Sequence, residues 1–172
     1  MNNWHILTEC YIDTLLAEVV SPPKNYNHKH SCTKVLITMK SRLLNNAAFG
    51  IIDDDKVKPK DLEEFAVLKK HNEQLSIYKH KNKPHYIVKL GKAAEDFILQ
   101  NAKKCNVELE NYDLPSDLNG LMKITKHFKS LQEAENQLKK LFYDLKQNQN
   151  SDFYQLSQWL ENFKENPYSF IK

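Results

Sequence analysis

Little in this sequence punctuates or cross-links the chain. Three glycines and six prolines in 172 residues leave few places for tight turns, so long elements are expected. Three cysteines, Cys10, Cys32 and Cys105, are odd in number and widely spaced, which argues against a disulfide framework. No apolar run nears the ~20 residues of a bilayer span, and the opening MNNWHILTEC lacks the layout of a secretory signal. A cytoplasmic protein with no membrane partner is therefore expected. Arg42 is the only arginine among 25 basic residues. Base reading and bidentate phosphate clamps favour arginine, so any nucleic-acid contact is expected to be with the backbone and not sequence-specific. The phosphate-binding P-loop, the dinucleotide glycine fingerprint and the G-x-S-x-G nucleophile elbow are all missing.

What is present is ordinary for a globular protein: 41% apolar and 27% charged residues, enough for a core in one domain or two packed subregions. The short apolar run Trp4 to Thr8 reads as a buried strand. Ile12, Leu15, Leu16 and Val19 then fall at helical spacing, and Pro22–Pro23 end the helix. A polar stretch through His30 reads as loop with room for a short strand. Residues 32–45 again carry a helical stripe through Val35, Leu36, Met39 and Leu43. The continuous run from Ala47 to Ile52 suits a strand buried on both faces, as in a parallel sheet. Asp61 with Glu64 resembles a capping box and predicts a helix to about His71. Leu75–Tyr78 and His85–Leu90 read as strands, and residues 92–105 as an amphipathic helix. From Pro115 on the apolar spacing is helical only, with Phe128, Leu138 and Phe142 on one stripe and Phe153, Trp159 and Phe163 on another. This order predicts an α/β fold with a mainly parallel central sheet flanked by helices over residues 1–112. A C-terminal helical hairpin over 113–172 is expected to pack on it.

The chemically informative residues are acids at predicted strand ends. Asp53 and Asp55 close the central strand two residues apart, so extended geometry sends both to one side and Asp54 to the other. Glu9 closes the first strand, and Asp13 lies one helical turn later. In open parallel sheets the functional crevice lies beyond the carboxyl ends of the strands. Acids gathered there repel one another unless a cation sits among them, and oxygen-only ligands select a hard ion such as Mg²⁺. Taken singly, each piece has a plain structural reading: a solvated acidic loop after a strand, or acids favouring a helix N-terminus.

The segment Ile6-Leu7-Thr8-Glu9-Cys10-Tyr11-Ile12-Asp13, with leucines after it, resembles the first motif of TOPRIM domains. Gly50-Ile51-Ile52-Asp53-Asp54-Asp55 resembles the DxD motif of that family, and Leu90 to Leu99, carrying Glu95, resembles its later strand-then-helix acidic segment. The likeness covers roughly residues 3–105 and is of the type found in overcoming-lysogenization-defect nucleases and related phage-defence proteins. It implies a TOPRIM-like fold and Mg²⁺- or Mn²⁺-dependent phosphodiester chemistry on nucleic acid. By the same resemblance Glu9 would be the general acid/base or a metal carboxylate, and Asp53 and Asp55 would hold the ion. Asp13 would support that site, and Glu95 would serve a second ion. Cys10 stands where the family usually has a glycine, and the glycine turn after the second strand is missing.

A rival is a non-catalytic TOPRIM-like module that senses a ligand or docks a protein partner, or a second copy, through its helical tail. A phosphoryl-accepting receiver-like domain is disfavoured, because its acidic pair belongs on the first strand. His28, His30 and Cys32 lack a fourth ligand at finger-like spacing and read as surface loop. Lys79 to Lys83, flanked by Tyr78 and Tyr86, reads as a hairpin tip within reach of a phosphate backbone. Cys10 has no adjacent cation to activate its thiol.

Overall fold

A computed structural model describes residues 5–54 and 59–170. Among these, six strands and six helices form an α/β fold around a mostly parallel sheet. In chain order they are β1 (Ile6–Thr8), α1 (Tyr11–Val20), β2 (Asn27–His28), α2 (Cys32–Ser41), β3 (Ala48–Asp53), β4 (Phe65–Lys70), β5 (Leu75–His80), β6 (His85–Leu90), α3 (Ala94–Lys104), α4 (Leu118–Thr125), α5 (Leu131–Gln147) and α6 (Asp152–Glu165). The sheet order is β2-β1-β3-β6-β5-β4. Strands β2, β1, β3 and β6 run parallel, whereas β5 and β4 pair antiparallel at one side.

The order places α1 and α2 on opposite faces. The chain steps from β1 outward to β2, then back past β1 to β3, and right-handed crossovers in opposite directions must use opposite faces. The side chains of β3 record both coverings. Phe49 and Ile51 join the core that contains α1, α3, α5 and α6, while Ala48 and Ile52 join the smaller core under α2. That double burial is why β3 reads as an unbroken apolar run. Gly50 lies on the α2 side, where a Cβ would come to 3.0 Å from Val35, so its bare backbone lets α2 settle close.

Helix α1 is buried nearly all round, from Ile12 to Ala17, because it is sandwiched between the sheet and the later helices. Phe163 of α6 meets Phe49 at 5.1 Å between ring centroids, Phe142 meets Phe153 at 5.2 Å, and Phe97 stacks on Phe153 at 5.2 Å. The buried Asp152 ties the start of α6 to its surroundings. Its N–H donates to Asn101 (2.6 Å), and its carboxylate accepts from Asn72 (2.7 Å) and Lys104 (2.8 Å).

Two expectations fail. Phe128 does not share a helical stripe with Leu138 and Phe142: α4 ends at Thr125, Ser130 caps α5, and Phe128 lies between the two helices. Residues 61–71 are not a helix: Lys60–Glu64 is a single 3₁₀ segment, and Phe65–Lys70 is the edge strand β4. Phe65 and Leu68, three apart, imitate a helical stripe. In the strand that odd spacing sends Phe65 to the α2-side core and Leu68 to the other. A register shift between Val67 and Lys69 accommodates Leu68 in the antiparallel pairing to β5. Pairing with β5 overrides the local capping signal. Farther along, His80 is buried rather than part of an open tip, and its Nε2 lies 2.8 Å from Glu64. Trp4 and Asp55 lie outside the described residues.

Candidate functional site

The parallel part of the sheet sets where chemistry can gather. From β1 the chain departs toward β2, and from β3 it departs toward the β6 side, so the carboxyl ends of β1 and β3 flank a point where connections diverge. Open α/β sheets bind ligands at such divergences, because no crossover closes the gap. Glu9 follows β1, and Asp53 ends β3. The register pairs Thr8 with Ile51, which brings the two acids to the same edge, and the Asp53 N–H donates to Glu9 Oε2 at 3.3 Å.

Asp13 joins them from the first turn of α1. Cys10 is the N-cap of that helix and forms a reciprocal box with Asp13. The Asp13 N–H donates to Cys10 Sγ (3.5 Å), and the Cys10 N–H donates to Asp13 Oδ2 (3.1 Å). Cys10 has φ −132°, open to any residue, so the turn after Glu9 does not demand glycine. The cap draws Asp13 into complete burial and leaves its Oδ1 with no hydrogen-bond partner among the described residues. Desolvation chiefly, with the charges of Glu9 and Glu95 adding to it, pushes the Asp13 carboxyl up to about 7. Burial, with the charges of Asp13 and Asp53, also raises the Cys10 thiol, so it stays protonated and is no nucleophile at neutral pH.

Glu95 enters from the first turn of α3 and accepts a hydrogen bond from the Thr125 hydroxyl. A cleft of about 250 Å³ opens beside this cluster, lined by Cys10, Tyr11, Asp53, Glu95, Thr125 and Lys126 among others. Four of the five acids marked in the sequence thus lie around one sheet edge, and the fifth, Asp55, is not described. Among the described residues no three His, Cys, Asp or Glu side chains stand grouped to hold a metal ion. In kind, though, oxygen donors alone and a buried carboxylate oxygen without a donor suit a hard divalent cation.

Two features escape sequence reading. Lys89 of β6 sits within an apolar strand, yet its ammonium lies 3.2 Å from Asp54 and 4.4 Å from the Tyr78 ring centroid. Asp54 and Lys89 lie on the α2 side, opposite Asp53, as strand alternation requires. The histidines dismissed as loop are organised beside β1. Tyr11 stacks on His28 at 4.4 Å, His28 Nε2 lies 2.9 Å from His30 Nδ1, and His28 Nδ1 lies 2.9 Å from the Thr14 hydroxyl. Burial, then the neighbouring His30, lowers the His28 pKa. Alternation in β6 and strand length in β2 carry no sign of either arrangement; only the register does.

No helix among the described residues is long and apolar enough to cross a membrane. Comparison with protein-family models, with curated proteins and with solved structures found no significant match.

Proposed function

We propose that the cleft at the carboxyl ends of β1 and β3 carries out Mg²⁺- or Mn²⁺-dependent phosphodiester chemistry on nucleic acid, in the manner of a small TOPRIM-like nuclease whose last two helices form a hairpin against the α/β body. The reading rests above all on one observation: Glu9 and Asp53, 44 residues apart in sequence, are linked by a hydrogen bond at the divergence point of the sheet. It is supported further by the resemblance of the two acidic motifs and by Asp13 and Glu95 beside them.

On this reading Asp53 and Asp55 would hold the ion, with Asp13 behind them and Glu9 beside it as the base. A bound ion would polarise the scissile phosphate and lower the pKa of its water. Glu9, half-buried at the mouth of α1, takes the proton from the attacking water. Lys126 on the cleft wall supplies a positive charge to the phosphate backbone, without base recognition. The Cys10–Asp13 box fixes the turn that carries Glu9, so the general base is positioned by the helix cap.

The test is cleavage of single- and double-stranded DNA and RNA by the full chain with Mg²⁺ or Mn²⁺, alongside Mn²⁺ binding followed by electron paramagnetic resonance. Glu9→Gln should lower cleavage about 10²- to 10⁴-fold while binding the ion. Asp53→Asn and Asp55→Asn should lose both ion and activity. A wild-type chain that neither cuts any of these substrates nor binds Mn²⁺ would overturn the reading.

A further inference from the structure

Two aromatic rings line the acidic cleft, and the fold fixes one of them before any ligand arrives. In the sheet β1 lies between β2 and β3, so His28 on β2 and Asp53 on β3 stand on opposite sides of the chain that leaves β1. Tyr11, the first residue of α1, lays one ring face flat on His28, with 4.4 Å between centroids and 8° between planes. Its other face therefore turns toward Asp53, where Tyr11 lines the cleft. His30 stands edge-on to both rings, 5.9 Å from Tyr11 and 4.1 Å from His28, which holds the stack in place. Phe128, in the link between α4 and α5, brings a second ring to the same cleft.

The charges of the cleft give those rings their use. Among the described residues that line it, Lys126 is the one cation, set against Asp53 and Glu95. Tight binding through the nucleic-acid backbone needs several cations, each releasing counterions from a phosphate. One lysine offset by two acids supplies little of that, even once an ion has joined the acids. Affinity must come from elsewhere, and a base laid on an aromatic ring supplies it, because every base has a π face. The cleft, at about 250 Å³, is just under the range of small-molecule sites. That scale suits one base with its phosphate and not the width of a duplex. Within a duplex both faces of a base are taken by its neighbours, whereas an unpaired base is free to be splayed out and stacked on a side chain.

We infer that the substrate of this cleft is single-stranded nucleic acid, with an unpaired base beside the scissile phosphate stacked on Tyr11 and against Phe128. The inference rests on the reading of the acidic cleft as a metal-dependent nuclease site and adds the substrate class to it. DNA and RNA offer the same base faces and phosphates, so they are separate arms of the test.

The test is fluorescence anisotropy of the full-length Glu9→Gln variant with Mg²⁺, which keeps the substrate uncut. The probes are labelled single strands of DNA and RNA, their duplexes, and an abasic strand with the same backbone. At least one single strand should bind about tenfold or more tightly than its duplex and the abasic strand. In that background Tyr11→Leu, which keeps an apolar side chain on α1 but removes the ring, should weaken single-strand binding about tenfold, whereas Tyr11→Phe should stay within about twofold. Phe128→Leu should weaken it severalfold, and cleavage by the same Tyr11 and Phe128 variants of the otherwise wild-type chain should follow the same order. No binding of either single strand, equal binding of single strand, duplex and abasic strand, or indifference to Tyr11→Leu would each overturn this inference, while Mn²⁺ binding and cleavage by the wild type leave the metal reading standing. A wild type that neither binds Mn²⁺ nor cuts any strand overturns that reading, and this inference with it.

Discussion

Asp13 and Glu18 stand five residues apart on one short helix, both are buried, and each has a carboxylate oxygen that no donor among the described residues reaches. Their surroundings are opposite. Asp13 faces Glu9 and Glu95 at the sheet edge, whereas Glu18 faces a groove rimmed by lysines. Burial is common to both, so it does not decide what a buried acid is for. The charges brought up by other elements do. At one end they accumulate negative charge, which suits a cation; at the other they set lysines around a single buried acid.

Both ends depend on the same packed body, and the comparison breaks most completely if that body loosens. Phe163 is fully buried against Phe49, Tyr86 and Phe170. Phe163→Ala should cost about 3–5 kcal/mol in chemical denaturation through lost burial and the cavity left behind. If the loss is under about 1 kcal/mol, α6 is not part of the body that holds α1.

A smaller effect, of opposite sign, sharpens the contrast at Asp13. In metal-free protein the folded chain keeps the Asp13 proton up to about pH 7, while the unfolded chain keeps it only to its ordinary value of 3.8. Folding therefore takes up a proton between these values, and stability falls as pH rises from about 4 to 7. Asp13→Asn removes this dependence while preserving an oxygen for the Cys10 N–H. The variant should be more stable than wild type at pH 8 and much closer to it at pH 4.5. Melting curves in EDTA at the two pH values check it; equal effects at both would mean that Asp13 is ionised throughout.

The smallest expected effect lies in the cap itself. The Cys10 sulfur is a weak acceptor at 3.5 Å. Cys10→Ser supplies a better one and should raise stability by about 0.5–1 kcal/mol, measured by denaturant midpoint. A loss instead would mean that sulfur packing, not the hydrogen bond, holds the turn.

The parts of this molecule that could be read from sequence are those whose neighbours are near or whose burial is uniform. Ala47 to Ile52 reads as a two-sided strand because both faces are covered, and α5 and α6 show their apolar stripes directly. Glu9, Asp13 and Asp53 could be marked because acids at strand ends stand out against apolar runs. The strand β4 was hidden, since Phe65 and Leu68 mimic a helical interval that only pairing with β5 reinterprets. The groove was hidden more deeply. Glu18 reads as one more acid on an amphipathic helix, and Lys139 and Tyr143, which line the groove with it, lie more than a hundred residues later on α5. Lys89 and the His28–His30 pair likewise gain their partners from register and stacking, neither of which local composition records.

The all-round burial of α1 also has a consequence for synthesis. About 110 residues separate the end of α1 at Val20 from the start of α5 at Leu131. At ~5–20 residues per second, translation takes on the order of ten seconds to cover that distance. Throughout that interval the face of α1 that α5 and α6 will cover has no native partner. The N-terminal half of the chain thus leaves the ribosome with its apolar surface incomplete, and native closure is a late, C-terminal event.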